Sequence, residues 1–172
     1  MSEKISVWGT SNYTREELKE FNKIGNFFAI KRYRQKSLWE YAFLILSFNV
    51  LFWFSKGYFT KLGDLVAQDS YKRFKDITYR ILKNNQEGKE GLLGLYFYSS
   101  NDPDIKFFIK ASSEKSFNET LDSLNYTYAN TLKILKNERR NVSESRITLI
   151  DMRIAEFYYT TREGELFVIE KS

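Results

Sequence analysis

The 172-residue chain carries 27 Lys plus Arg against 22 Asp plus Glu, a formal net charge of +5, with 17% aromatic residues, no histidine and no cysteine. The missing imidazole and thiol exclude Ser-His and Cys-His nucleophile pairs, imidazole- or thiolate-ligated metals, and disulfides. The length suits one α+β domain with an appendage, divided here into an arm and amphipathic helix (1–36), an apolar helix (37–57) and an α+β domain (58–172).

Met1 to Ser11 is an arm or short strand around Ile5 and Val7, and Met1–Ile30 shows no signal-peptide pattern. Thr14-Arg15-Glu16-Glu17 fits a capping box for an amphipathic helix through Leu18, Phe21 and Phe28 towards Arg34. Its basic end supplies the phosphate-contact candidates Lys31, Arg32, Arg34 and Lys36.

Tyr41 to Ser55, YAFLILSFNVLFWFS, is free of charge over 15 residues. Ser37-Leu38-Trp39-Glu40 fits a second capping box, and Gly57 after Lys56 fits a helix stop. A helix from Leu38 to Lys56 would be roughly 28 Å long, close to the ~30 Å hydrocarbon thickness of a bilayer. Basic residues before the run would place the N-terminus in the cytosol. Against a membrane span stand the short charge-free length and Asn49, whose amide needs a partner in lipid. The other reading is a helix buried in a core or an oligomer interface. The residues that carry either reading are Trp39, Phe43, Phe48, Asn49, Phe52, Trp53 and Phe54.

From about Thr60 a third helix is marked by Leu62, Leu65, Val66, Phe74, Ile77 and Ile81. Asn84 to Gly91 is a loop. Leu92 to Ser99 and Ile105 to Ala111 form a hairpin across the Asn101-Asp102-Pro103-Asp104 turn, with Ile105, Phe107 and Ile109 inward. Ser113 caps a long helix whose stripe is Phe117, Leu121, Leu124, Tyr128, Leu132 and Leu135. Asn137 to Ser145 is a charged loop, and Arg146 to Thr161 is one long bent strand. The turn Arg162-Glu163-Gly164-Glu165 leads to a last strand, Leu166 to Glu170. The order from Tyr71 is thus α-β-β-α-β-β, an antiparallel sheet packed by helices. With Gly91-Leu92-Leu93-Gly94-Leu95-Tyr96 entering the first strand, this order resembles Roadblock-type and profilin-like domains, which run α-β-β-α-β-β-β. The resemblance covers Tyr71 to Ser172 and carries over no functional residue.

No phosphate-binding glycine loop, nucleophile elbow or dinucleotide fingerprint is present. Pro103-Asp104 is the first half of a carboxylate-nuclease pattern, but the second half is missing at Ile105–Ala111. Asp102 and Asp104 fit a turn better than a cation site. Asp151 and Glu156 are of opposite parity and would point to opposite strand faces unless a bulge intervenes, so a paired acid/base site is unsupported. Tyr96 and Tyr98 share one face, as do Glu156 and Tyr158; such aromatics cover a sheet more readily than they stack bases. Asn12, Asn118, Asn125 and Asn141 head glycosylation-type triplets that an Asn-rich chain produces by chance.

No catalytic, cofactor or metal residue is assigned, and a non-enzymatic interaction or assembly protein is expected. Three forms are carried forward, in this order. The first is a membrane-anchored component of a larger complex with a protein-binding α+β domain. The second is a soluble oligomeric interaction domain, self-associating or bound to a protein partner, with the apolar helix buried. The third binds nucleic acid through its basic helix ends. The corresponding locations are membrane-associated with a cytosolic N-terminus, or cytoplasmic.

Overall fold

Alternation and helical stripes resolve into eight strands and three helices among the residues that a computed structural model describes, 5–9, 28–32, 41–49, 65–84 and 90–171. The strands are β1 (Ile5–Gly9), β2 (Phe28–Arg32), β3 (Tyr41–Asn49), β4 (Glu90–Tyr98), β5 (Asp104–Lys110), β6 (Val142–Ile150), β7 (Arg153–Thr161) and β8 (Leu166–Lys171). The helices are α1 (Leu65–Asn84), α2 (Glu114–Asp122) and α3 (Leu124–Asn137). The described strands form one sheet in the order β2-β1-β3-β4-β5-β6-β7-β8.

The α+β class holds, but the sheet is mixed rather than antiparallel. β1 with β2, β3 with β4, and β5 with β6 are parallel pairs. The physical reason is connection length. A tight turn can only reverse the chain, whereas a helical crossover returns it to the same end of the sheet. α2 and α3 make such a crossover between β5 and β6, and α1 lies between β3 and β4 in the chain.

Tyr41–Asn49 is a strand, in parallel register with β4 from Tyr41 opposite Glu90 to Asn49 opposite Tyr98. Nine residues of the expected Leu38–Lys56 helix are therefore extended. Strands of parallel sheets commonly read as continuous apolar runs, the same signal an apolar helix gives. Residues 37–40 and 50–57 lie outside the described residues. Among the described residues no helix is long and apolar enough to cross a membrane. Phe28–Arg32, expected at the end of a helix, is likewise extended as β2, and β1 is the short strand anticipated at Ile5 and Val7.

One face of the sheet carries the core. Leu93, Leu95 and Phe97 of β4, Ile105, Phe107 and Ile109 of β5, Ile147 and Leu149 of β6, and Phe157 and Tyr159 of β7 are buried there. The helices close over them with Phe74 and Ile77 from α1, Phe117 and Leu121 from α2, and Leu124, Tyr128 and Leu135 from α3. Phe97 sits edge-on to Phe107 and to Tyr128, with centroids 5.9 and 5.6 Å apart. The α2–α3 stripe is thus the one the spacing predicts. It is split at Ser123, whose hydroxyl donates to the Thr120 carbonyl at 2.9 Å, a back-bond that competes with the helical ladder. Ser113 is the expected N-cap, accepting from the Ser116 N–H at 3.1 Å. Gly91 is required where α1 meets β4: a Cβ there would stand 3.0 Å from the Leu82 Cβ.

The expected strand Arg146–Thr161 is instead a hairpin. β6 and β7 meet at Asp151-Met152, both with positive φ (46° and 69°). Two left-handed residues match the twist of flanking strands, but without glycine the turn gives no compositional signal. With β6 and β7 counted separately, three strands follow α3 among the described residues.

Candidate functional site: the open face of the sheet

Strand alternation places a second set of side chains on the face opposite the described helices, and the register lines them up in rows across the strands. The central row is Tyr96, Lys106, Arg146, Tyr158 and Val168. On one side of it run Asp104, Glu144, Thr160 and Leu166; on the other, Phe108, Thr148 and Glu156. A row with two adjacent cations at its centre is therefore bordered by carboxylates on both sides.

Two aromatic rings of this face, Tyr96 and Phe108, are occupied by its own cations. The Lys106 ammonium lies 5.5 Å from the Tyr96 centroid and pairs with the Glu144 carboxylate. The Arg146 guanidinium lies 4.3 Å over Phe108, which meets Tyr96 edge-on at 5.8 Å. Thr148 donates to Glu156 at 3.3 Å. Desolvation, then its hydrogen bond to Glu156, holds the Tyr158 phenol above its ordinary range, with Arg146 opposing. Arg146, Glu156, Tyr158, Thr160 and Leu166 line an open depression of about 480 Å³.

Apolar surface adjoins it. Leu166 and Val168 are 66% and 56% exposed, and Tyr98 and Ile150 are also exposed at the margins. The edge strand β8 is bulged against Phe157/Tyr158 of β7, which twists an edge away from further pairing. The open face, rather than the β8 edge, is thus the contiguous surface on offer.

Other clusters are structural. Asp104 accepts from the Ser99 N–H at 3.3 Å, and the Ser99 hydroxyl accepts from the N–H groups of Asn101 and Asp102. The β4–β5 loop is therefore a turn closed by Ser99 and Asp104, as the turn reading expected, and Lys136 pairs with Asp102 at 2.8 Å. Burial raises the Asp104 carboxyl, against its Ser99 hydrogen bond and Lys106. Tyr128, buried in the core, is pushed up to about 12 by desolvation and then by the charges of Asp102 and Asp104. Asp122 holds Tyr71 and Lys75 of α1, at 3.0 and 2.9 Å, joining α1 to α2. Arg140 stacks 4.0 Å over Phe167 while donating to Tyr159. No group of three or more acidic side chains among the described residues is placed to hold a metal ion.

The candidate residues expected from the sequence fall elsewhere. Phe43, Phe48 and Asn49 lie on β3, and Lys31 and Arg32 end β2. Trp39, Phe52, Trp53, Phe54, Arg34 and Lys36 lie outside the described residues. Tyr96, Tyr98, Glu156 and Tyr158 could be placed on faces by alternation alone. Arg146 and Phe108 could not be brought together, because their contact depends on the β5–β6 register. No protein-family model, curated protein or solved structure matches this chain.

Proposed function

We propose that this chain is a non-enzymatic interaction domain that docks a protein partner on the open face of its sheet. The observation that carries the reading is the central row. It combines exposed Val168, an arginine laid over Phe108 and a tyrosine, with carboxylates on either side. Arginine and tyrosine with adjoining apolar surface are the side chains that anchor protein interfaces. Mixed charge also separates this face from a nucleic-acid surface. Phosphates approaching Arg146 would meet Glu144 and Glu156, and the ring faces of Tyr96 and Phe108 already hold cations. The lack of histidine and cysteine supports the non-enzymatic part. Because Tyr41–Asn49 is extended, the reading rests on the sheet domain and not on a spanning helix.

The test is photo-crosslinking in expressing cells, with p-benzoylphenylalanine in place of Tyr158 on the face and, separately, in place of the 74%-exposed Tyr126 on α3. Adducts to a protein chain from position 158 and none from 126 are expected. No protein adduct at 158, or equal adducts at both, overturns the reading.

A further inference from the structure

We infer that the partner of the open face is a second copy of this chain, packed sheet against sheet about a two-fold axis. The inference rests on the docking reading above and specifies its occupant.

The charges of the face are self-complementary. Its described side chains include the cations Lys106, Lys110, Arg146 and Arg153 and the carboxylates Asp104, Glu144 and Glu156, so the face is nearly neutral although the chain is +5. Lys106 and Glu144 neutralise one another. Arg146 and Glu156 border the same depression, flank Tyr158 and form no ion pair with another described residue. The Arg146 guanidinium lies over the Phe108 ring, a contact that does not use its fork of donors. A carboxylate is the matching acceptor, and bidentate pairing adds geometric specificity. In a two-fold interface residue i meets residue j of the mate and j meets i. A cation and a carboxylate on neighbouring strands, neither in an ion pair among the described residues, satisfy that condition: Arg146 of each copy reaches Glu156 of the other. A strongly acidic or basic partner would leave one of the two unmatched.

The size is adequate. Five strands at about 4.8 Å span about 24 Å, and seven residues at about 3.3 Å span about 23 Å. The footprint of about 550 Å² grows with side-chain relief towards the ~800 Å² per partner of a standard interface. Leu166, Val168, Tyr98 and Ile150 supply the exposed apolar area to be covered. Two such faces can pack with their strands about 30° apart and about 10 Å between sheets.

The experiment is sedimentation velocity of the full chain from about 1 to about 200 µM, the range that resolves micromolar association, with circular dichroism and melting as fold controls. The wild type should shift to dimer with rising concentration, and Arg146→Glu and Glu156→Arg should each lower the association constant at least about tenfold, the loss of one tenfold step per 1.4 kcal/mol. Mixing the two variants should restore dimers, because the exchanged charges meet again. A wild type that is monomeric throughout overturns the inference, as does a dimer that both folded variants leave intact. Crosslinks from position 158 to a different protein, with a monomeric wild type, remove the homodimer and leave the docking function standing. Absence of any protein adduct removes both.

Discussion

Asp151 ties the β6–β7 turn to the rest of the domain, and its removal gives the sharpest stability prediction. Its carboxylate accepts from the Ser112 N–H at 2.9 Å and from the Ser116 hydroxyl, both at the start of α2. Its own N–H donates to the Lys110 carbonyl at 3.2 Å, so β5, the turn and the helix entry meet at one residue. A hydrogen bond to a charged group contributes about 1.5–3 kcal/mol when buried; here solvent screening reduces each to about 1 kcal/mol. Asp151→Ala should therefore cost about 2 kcal/mol, with some further strain because alanine tolerates φ 46° less well than aspartate. For a chain of this size that is a Tm drop of about 4–8 °C. Hydrogen bonds from Ser116 and then Ser112 hold the folded carboxyl below its ordinary value. The ionised form is thus the one that stabilises the fold. Its contribution is fully present above the unfolded carboxylate pKa of about 3.9 and is lost as pH falls through the lower folded value. Urea melts of wild type and Asp151→Ala should differ at about pH 7 and converge towards about pH 3. Equal stability at neutral pH, or a gap that widens on acidification, refutes the reasoning.

Other substitutions test neighbouring contacts. Met152→Gly relieves a left-handed methionine whose side chain is half exposed, so a gain of about 0.5–1 kcal/mol is expected in urea melts, after the entropy glycine adds to the unfolded chain. Phe117→Ala empties the centre of the α1–α2 contact, where the ring lies 5.5 Å from Tyr79, and should cost about 3–5 kcal/mol by the same assay. Asp104→Asn has the opposite pH sense to Asp151. Burial raises the folded carboxyl, so the wild type loses stability as pH rises from the unfolded towards the folded pKa. The variant should accordingly gain on the wild type between about pH 3 and about pH 7 in chemical denaturation.

Local chemistry was legible where one interaction dominated. Ser113 caps α2, the Phe117–Leu135 stripe faces the core, and Gly164 at φ +86° closes the β7–β8 turn, with the Glu165 N–H on the Thr161 hydroxyl. What escaped was decided by partners far away in the chain. Tyr41–Asn49 is an unbroken uncharged run, and only its pairing with its neighbours in the sheet makes it a strand. The Asp151-Met152 turn is held by Lys110, Ser112 and Ser116, not by a glycine of its own. The open face shows the same division. Alternation gives each strand's outward residues, but the row from Tyr96 to Val168 exists only once four registers are set.

The most direct measurement uses the cysteine-free background. Val168→Cys on the open face and Tyr126→Cys on α3 are single thiols at sites of comparable exposure, 56% and 74%. Maleimide labelling in intact expressing cells should modify position 126 readily and position 168 several-fold more slowly, because a protein covers the sheet. Equal labelling at both positions would contradict the assignment of that face to protein docking.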